Sequence, residues 1–298
     1  MSEIRIDGIK TATSRRVSRR MIARALKHKR FILGIVLILV PFVWAIAAPV
    51  LAPGDPFDQD LSIAVLPPVW LEGGSWEYPL GTDFVGRDIY GRLIYGARVS
   101  LTVGLGGVLL AIVIGVTLGL IAGYYGGWSE TIIMAVVDML LSLPYLLLVV
   151  VVAGIWGSSL RNVILIFGVL DFPLFTRMTR GEVLSLRESG FVEAAHMVGA
   201  SGWFILRHHI VPNLVGVIIT VATFEIANMI LLEAGLGFLG LSVPPTIPSW
   251  GNMLAEGRNY LASAWWLASF AGLAILCTTL GINLLGDWLR DTLDPRSR

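Results

Sequence analysis

Five stretches without a single Asp, Glu, Lys or Arg dominate the chain: residues 31–54, 99–129, 139–160, 234–255 and 259–286. Each exceeds the ~20 residues that an α-helix needs to cross ~30 Å of hydrocarbon. With 55% hydrophobic and only 14% charged residues, a soluble core has no means of hiding such runs. Blocks of this length also differ from the ~10-residue alternating segments of a membrane barrel. The sequence therefore specifies an all-α polytopic membrane protein.

Six spans fit the apolar pattern: about 31–51, 99–122, 130–155, 160–178, 213–236 and 264–286. The fourth is interrupted by Asp171 and Pro173. The expected organisation is a basic tail at 1–30, a first transmembrane helix at 31–51 and an external loop at 52–96. A core of five transmembrane helices follows at 97–287, and a short polar tail at 288–298. Residues 1–30 hold ten Lys or Arg against Glu3 and Asp7, whereas 52–98 hold seven acids against Arg87, Arg92 and Arg98. The positive-inside rule then puts the N-terminus in the cytoplasm. Six spans return the C-terminus to the same side, together with a polar loop at about 179–212. The basic leader is too long for a signal peptide's n-region, so the first span is an uncleaved anchor. Span 2 carries Gly104, Gly106, Gly107, Gly115 and Gly119, and small residues of this kind let helices approach closely.

Several chemistries are excluded. All three lysines lie within the first 30 residues, and no phosphate-binding Gly-x4-Gly-Lys-Ser/Thr loop occurs. Neither the zinc-protease nor the serine-hydrolase motif is present. A single cysteine, Cys277, forms no internal disulfide and reads as a small buried hydrophobe. His208 and His209 are adjacent, so on a helix they point about 100° apart and suit one metal poorly. No catalytic residue and no metal site is expected. Four acids lie in or near spans: Asp138, Asp171, Glu225 and Glu233. Each costs about 2.5–3.5 kcal/mol to insert and needs a partner or water. They either line a wet pathway, pair within the bundle or relay protons.

The stretch EAAHMVGASGWFILRHHIVPNL, residues 193–214, is polar where its neighbours are not. Ser189 or Gly190 starts a helix, with Glu193 near its positive end. Phe191, Ala194, Ala195 and Val198 form an apolar stripe at helical spacing. Gly199 ends the helix in a left-handed turn, Ser201 caps a second helix, and Pro212 marks a break before span 5. A solvated loop has no use for the stripe, so either this chain's spans or another protein covers it. Elsewhere, Thr82 or Asp83 caps an interfacial helix, the prolines at 244, 245 and 248 stiffen an external loop, and Trp250 anchors at the interface.

Glu193-Ala194-Ala195, with Gly199 and Pro212 behind it, resembles the EAA loop of ABC-transporter permeases. The likeness extends over about residues 78–296. YPLGTDFVGRDIYGRLIYGARVSL, AGYYGGW, GFLGLSVPPTIPSWGNMLAEGR and NLLGDWLRDTLDP are similar, in order, to stretches of the C-type subunits of dipeptide, oligopeptide and nickel permeases. Trp288 stands where a small residue is common, and Gly237 where serine is common. The resemblance implies a type I ABC importer permease fold and a subunit without catalysis of its own. It implies a second permease subunit, two P-loop ATPase subunits that bind ATP and Mg²⁺, an extracytoplasmic binding protein, and no nucleic acid.

Within that resemblance the loop at about 181–212 is the coupling loop. Glu193, Ala194, Ala195, His196, Met197, Gly199 and Arg207 are its candidate ATPase contacts. Asp138, Asp171, Glu225 and Glu233 are candidates for the pathway or its gate. The location implied is a bacterial or archaeal inner membrane. Peptides are the implied cargo, with nickel chelates, oligosaccharides and opine-like compounds carried by related permeases. A proton-coupled transporter using Asp138, Glu225 and Glu233 is the rival reading.

Overall fold

A computed structural model describes residues 28–52 and 54–293 of the chain. The basic leader up to residue 27, with Lys10 and Lys27, lies outside the described residues, as does the extreme C-terminus at 294–298. The described residues form helices, short turns and two isolated bridges, with no strand. Helix α1 runs Lys29–Leu51, α2 Ile89–Tyr125, α3 Gly127–Leu141, α4 Tyr145–Trp156 and α5 Leu160–Arg187. A short helix, α6, spans Gly190–Met197, and α7 runs Gly202–Phe238. Helix α8, Trp250–Gly257, precedes α9, Trp266–Leu293. Among the described residues five helices are long and apolar enough to cross a membrane, and α3 with α4, bent by 88° at their junction, makes a sixth when the pair is counted as one span.

The third span is therefore broken, not continuous as its apolar run implies. Pro144 has no N–H to give to the preceding turn and disfavours helical geometry in the residue before it, so the chain turns between Leu141 and Tyr145. The fourth span differs in the opposite sense. Helix α5 runs unbroken through Asp171 and Pro173. A buried proline is tolerated in a bundle helix, and here Phe172 and Phe175, on either side of Pro173, pack against Gly115 of α2. The same helix continues to Arg187, so the first quarter of the expected 179–212 loop is helical.

Helix α2 begins at Ile89 instead of 99. Asp88 caps it, accepting the Tyr90 and Gly91 amides at 3.0 and 2.8 Å, while burial pushes this carboxyl above the usual carboxylate range. Thr82 and Asp83 do not cap it. With 37 residues, α2 is ~55 Å long and must project beyond ~30 Å of hydrocarbon. Its glycines seat α5: a Cβ at Gly119 would lie 2.6 Å from Thr179 Cβ, and one at Gly115 2.6 Å from the Phe172 carbonyl. Helix α1 packs on α2 and α9. Cys277 is half-buried and lines an apolar groove there with Val36, Trp44 and Phe270.

Pro212 does not break the fifth span. A π-turn at Leu206–Ile210 lies directly before it, and this wider turn carries the chain from Gly202 into the long helix without the missing N–H. Trp250, read from sequence as an interfacial anchor, is fully buried instead. Its indole N–H donates to the Leu93 carbonyl at 3.0 Å, over the space left by Gly96.

Candidate coupling face and membrane carboxylates

Helix α6 stands at the end of the bundle where α2 and α5 finish. Ser189 is its N-cap. The next residues divide sharply. Val192 is fully buried against Val183, Ile205, Leu206, Ile210 and Leu214, with Ala195 packed beside it. Phe191, Met197 and Val198 are 45%, 79% and 83% exposed, and Glu193, Ala194 and His196 are exposed with them. The apolar stripe expected from sequence is thus only partly covered by this chain, and the main anchor is Val192, which lay outside it.

Gly199 closes the helix with φ +78°. Its N–H bonds the His196 carbonyl at 3.0 Å, and the Ala200 N–H bonds the Ala195 carbonyl at 3.1 Å. These satisfy carbonyls that a helix end otherwise leaves open. Ser201 then caps α7, accepting the Phe204 amide at 3.3 Å. Arg207 is exposed on the π-turn. His208 stacks on Phe204 at 4.3 Å, and His209 lies 6.1 Å from Phe191. Among the described residues no group of three potential metal ligands occurs.

Two arginines near the end of α5 brace this loop. The Arg187 guanidinium donates to the Tyr124 carbonyl at 3.1 Å, and Arg180 Nε donates to Glu130 at 2.7 Å. Both tie α5 to the junction of α2 and α3. Arginine before the loop and glutamate after GYYGGWS were the available signals, but their pairing depends on helix packing.

The four acids do not form one site. Asp138 pairs with Arg177, and both side chains are more than half exposed. Glu233 is fully buried and accepts hydrogen bonds from Ser100 and Ser242, each at 2.9 Å. It clasps α2 to the segment after α7 and reaches no surface of the chain. Asp171 and Glu225 lie on α5 and α7 near mid-helix, close enough to act on one another and on Tyr145.

The end opposite α6 holds a charge cluster that sequence reading missed. Arg87 Nε donates to Asp83 at 2.6 Å and its Nη2 to Glu256 at 3.0 Å; Arg92 binds Asp83 and, at 2.7 Å, Glu256. The two arginines and Asp83 are almost wholly buried. Asn252 Nδ2 donates to the Val243, Pro244 and Ile247 carbonyls at 3.2 Å each, closing the proline-rich loop against α8.

Residues 115–298 match the family described as binding-protein-dependent transport system inner membrane component. Residues 17–68 match the N-terminal TM domain of oligopeptide transport permease C. A dipeptide transport system permease protein of Haemophilus influenzae is 42% identical over 270 residues, covering 91% of this chain and 92% of that protein. A di/tripeptide transport system permease protein of Pseudomonas aeruginosa is 41% identical over 270 residues, 90% of this chain and 89% of its own length. A glutathione transport system permease protein of Pectobacterium atrosepticum is 44% identical over 225 residues, 76% and 75% of the two chains. Among solved structures, the inward-facing MetNI methionine ABC transporter matches with a TM-score of 0.55 at 19% identity. That match covers 68% of this chain and 96% of the other, and it shows a shared fold. A family match across more than half of the chain, with relatives above 40% identical along nine-tenths of it, makes this protein a member of the binding-protein-dependent transport system inner membrane components: a multi-pass permease subunit of an ABC importer.

Proposed function

We propose that this chain is the C-type permease subunit of a peptide importer. It pairs with a second, different permease subunit across a central pathway, above two P-loop ATPase subunits that bind ATP and Mg²⁺. A binding protein on the outer side delivers di- or oligopeptides. Both termini and α6 face the cytoplasm of a bacterial or archaeal cell. Peptide cargo is supported by the relatives named as dipeptide and di/tripeptide permeases.

One observation carries the coupling role. Helix α6 is pinned from one side by Val192 and presents Phe191, Met197 and Val198 outward. Exposed apolar side chains on a pinned helix are the anatomy of a docking element. Glu193 contacts the ATPase or holds the helix's positive end. Ala194 and Ala195 allow close approach, Gly199 makes the turn, and His196, Met197 and Arg207 complete the contact. ATP favours the closed ATPase dimer, and its differential binding shifts the pathway from inward- to outward-facing. Asp171 and Glu225 belong to that pathway.

Site-specific photo-crosslinking from position 198 in native membranes tests this. The expected product is an adduct with a P-loop ATPase whose yield changes when ATP is trapped. Adducts only with lipid or with this chain would contradict the proposal.

A further inference from the structure

We propose that Asp171, Glu225 and Tyr145 form a mid-membrane subsite that takes the ammonium group of the passing peptide. The inference rests on the reading of the chain as a peptide permease and adds the chemistry of recognition within the pathway.

Three elements meet here. The 88° break between α3 and α4 puts Tyr145 at the start of a half-helix inside the third span. Asp171 comes from α5 and Glu225 from α7, both near mid-helix. Helix α4 packs on α5, and α5 on α7; there Glu225 acts electrostatically on Asp171, and both carboxyls act on Tyr145. Glu225 has one partner, Asn228, whose Nδ2 donates to it at 3.1 Å.

What sets Asp171 apart from the paired membrane acids Asp138 and Glu233 is an unmet demand. Asp171 is 9% exposed, yet its Oδ2 is buried without a hydrogen bond, and so is the Tyr145 hydroxyl. Buried polar atoms are satisfied in most folds, and an orphaned pair calls for something to fill it. The other membrane acids meet their demand within the chain: Asp138 has Arg177, and Glu233 has Ser100 and Ser242. Among the described residues, no Lys, Arg or His is among the charges acting on Asp171 or Glu225. Two carboxyls and a phenol without a cation match an ammonium, which brings a positive charge and three N–H donors. Burial makes the match selective, because a charge-assisted bond strengthens as water leaves. Broken helices at the bilayer midplane are also where transporters gather substrate contacts.

Two readouts test this in the whole transporter, held in its native membrane with its own partner subunits. In the first, uptake of radiolabelled dialanine is followed in Asp171→Asn and Asp171→Glu. Uptake is expected to fall at least about tenfold in the neutral variant, the loss of one charged hydrogen bond, and to survive in Asp171→Glu. Equal uptake in Asp171→Asn and the unmodified protein, or equal loss in both variants, would overturn the proposal. The second needs no variant. Dicyclohexylcarbodiimide labels carboxyls in apolar surroundings, and labelling at Asp171 is expected to be blocked by dialanine but not by N-acetyldialanine. Protection by both peptides, or by neither, would also overturn it. The permease reading itself fails separately, if no ATPase subunit accompanies the chain in the same membranes.

Discussion

Val192 is fully buried and Val198 is 83% exposed, although both belong to one short helix and its cap. That contrast separates holding α6 from presenting it. Val192→Asp would put an unpaired charge beside Ile205 and Ile210 and is expected to cost several kcal/mol, seen as lost membrane levels. Val198→Asp touches nothing internal. It is expected to leave levels normal and abolish uptake. Gly199 sits between these cases. Nothing lies within 4 Å of a Cβ built there, and its φ of +78° is the sole obstacle. Gly199→Val should therefore strain the turn by about 1–3 kcal/mol and depress transport, whereas Gly199→Asn, at home in left-handed geometry, retains more. Uptake assays on matched membrane levels distinguish the two. The turn was legible in the sequence because glycine at a helix end is a local signal. The burial of Trp250 was not, because it depends on Gly96, 154 positions away along the chain.

At the scale of elements, hydropathy located the spans but misjudged where they break. The run at 139–160 reads as uniformly apolar, and only Pro144 hints at the bend between α3 and α4. Pro173 gives the same local signal, yet α5 passes through it straight into Arg187. The difference lies in the surroundings: Phe172 and Phe175 are clamped against the glycines of α2, and packing overrides the proline's preference. That interface predicts its own fragility. Gly119→Leu would drive a side chain into Thr179 and the Thr176 carbonyl, so α2 and α5 are expected to separate and the detergent-solubilised protein to lose its cooperative melting transition. Helix α2's early start at Ile89 follows from the charge cluster beyond the apolar run. Arg92→Met would leave Asp83 and Glu256 short of a partner in a buried site. A destabilisation of about 3–5 kcal/mol is expected, measured as a lowered melting temperature, with the docking proposed for α6 unchanged.

Across the whole molecule the two ends are built differently. The α6 end exposes apolar and aromatic side chains on a pinned scaffold. The opposite end is closed by Asp83, Arg87, Arg92, Glu256 and Asn252, which fix α8 and the proline-rich loop. Between them, α2 with its glycines seats both α5 and α7. A charge-fixed end, a shared central helix and a pinned helix with exposed apolar side chains suit the coupling role proposed for this subunit. The most direct test is to purify the tagged chain from native membranes in mild detergent, identify what accompanies it and assay ATP hydrolysis. The account predicts a second permease, P-loop ATPase subunits and an active preparation, with a binding protein recovered when peptide is present. A homo-oligomer without ATPase, even after crosslinking at residues 193–199, would contradict it.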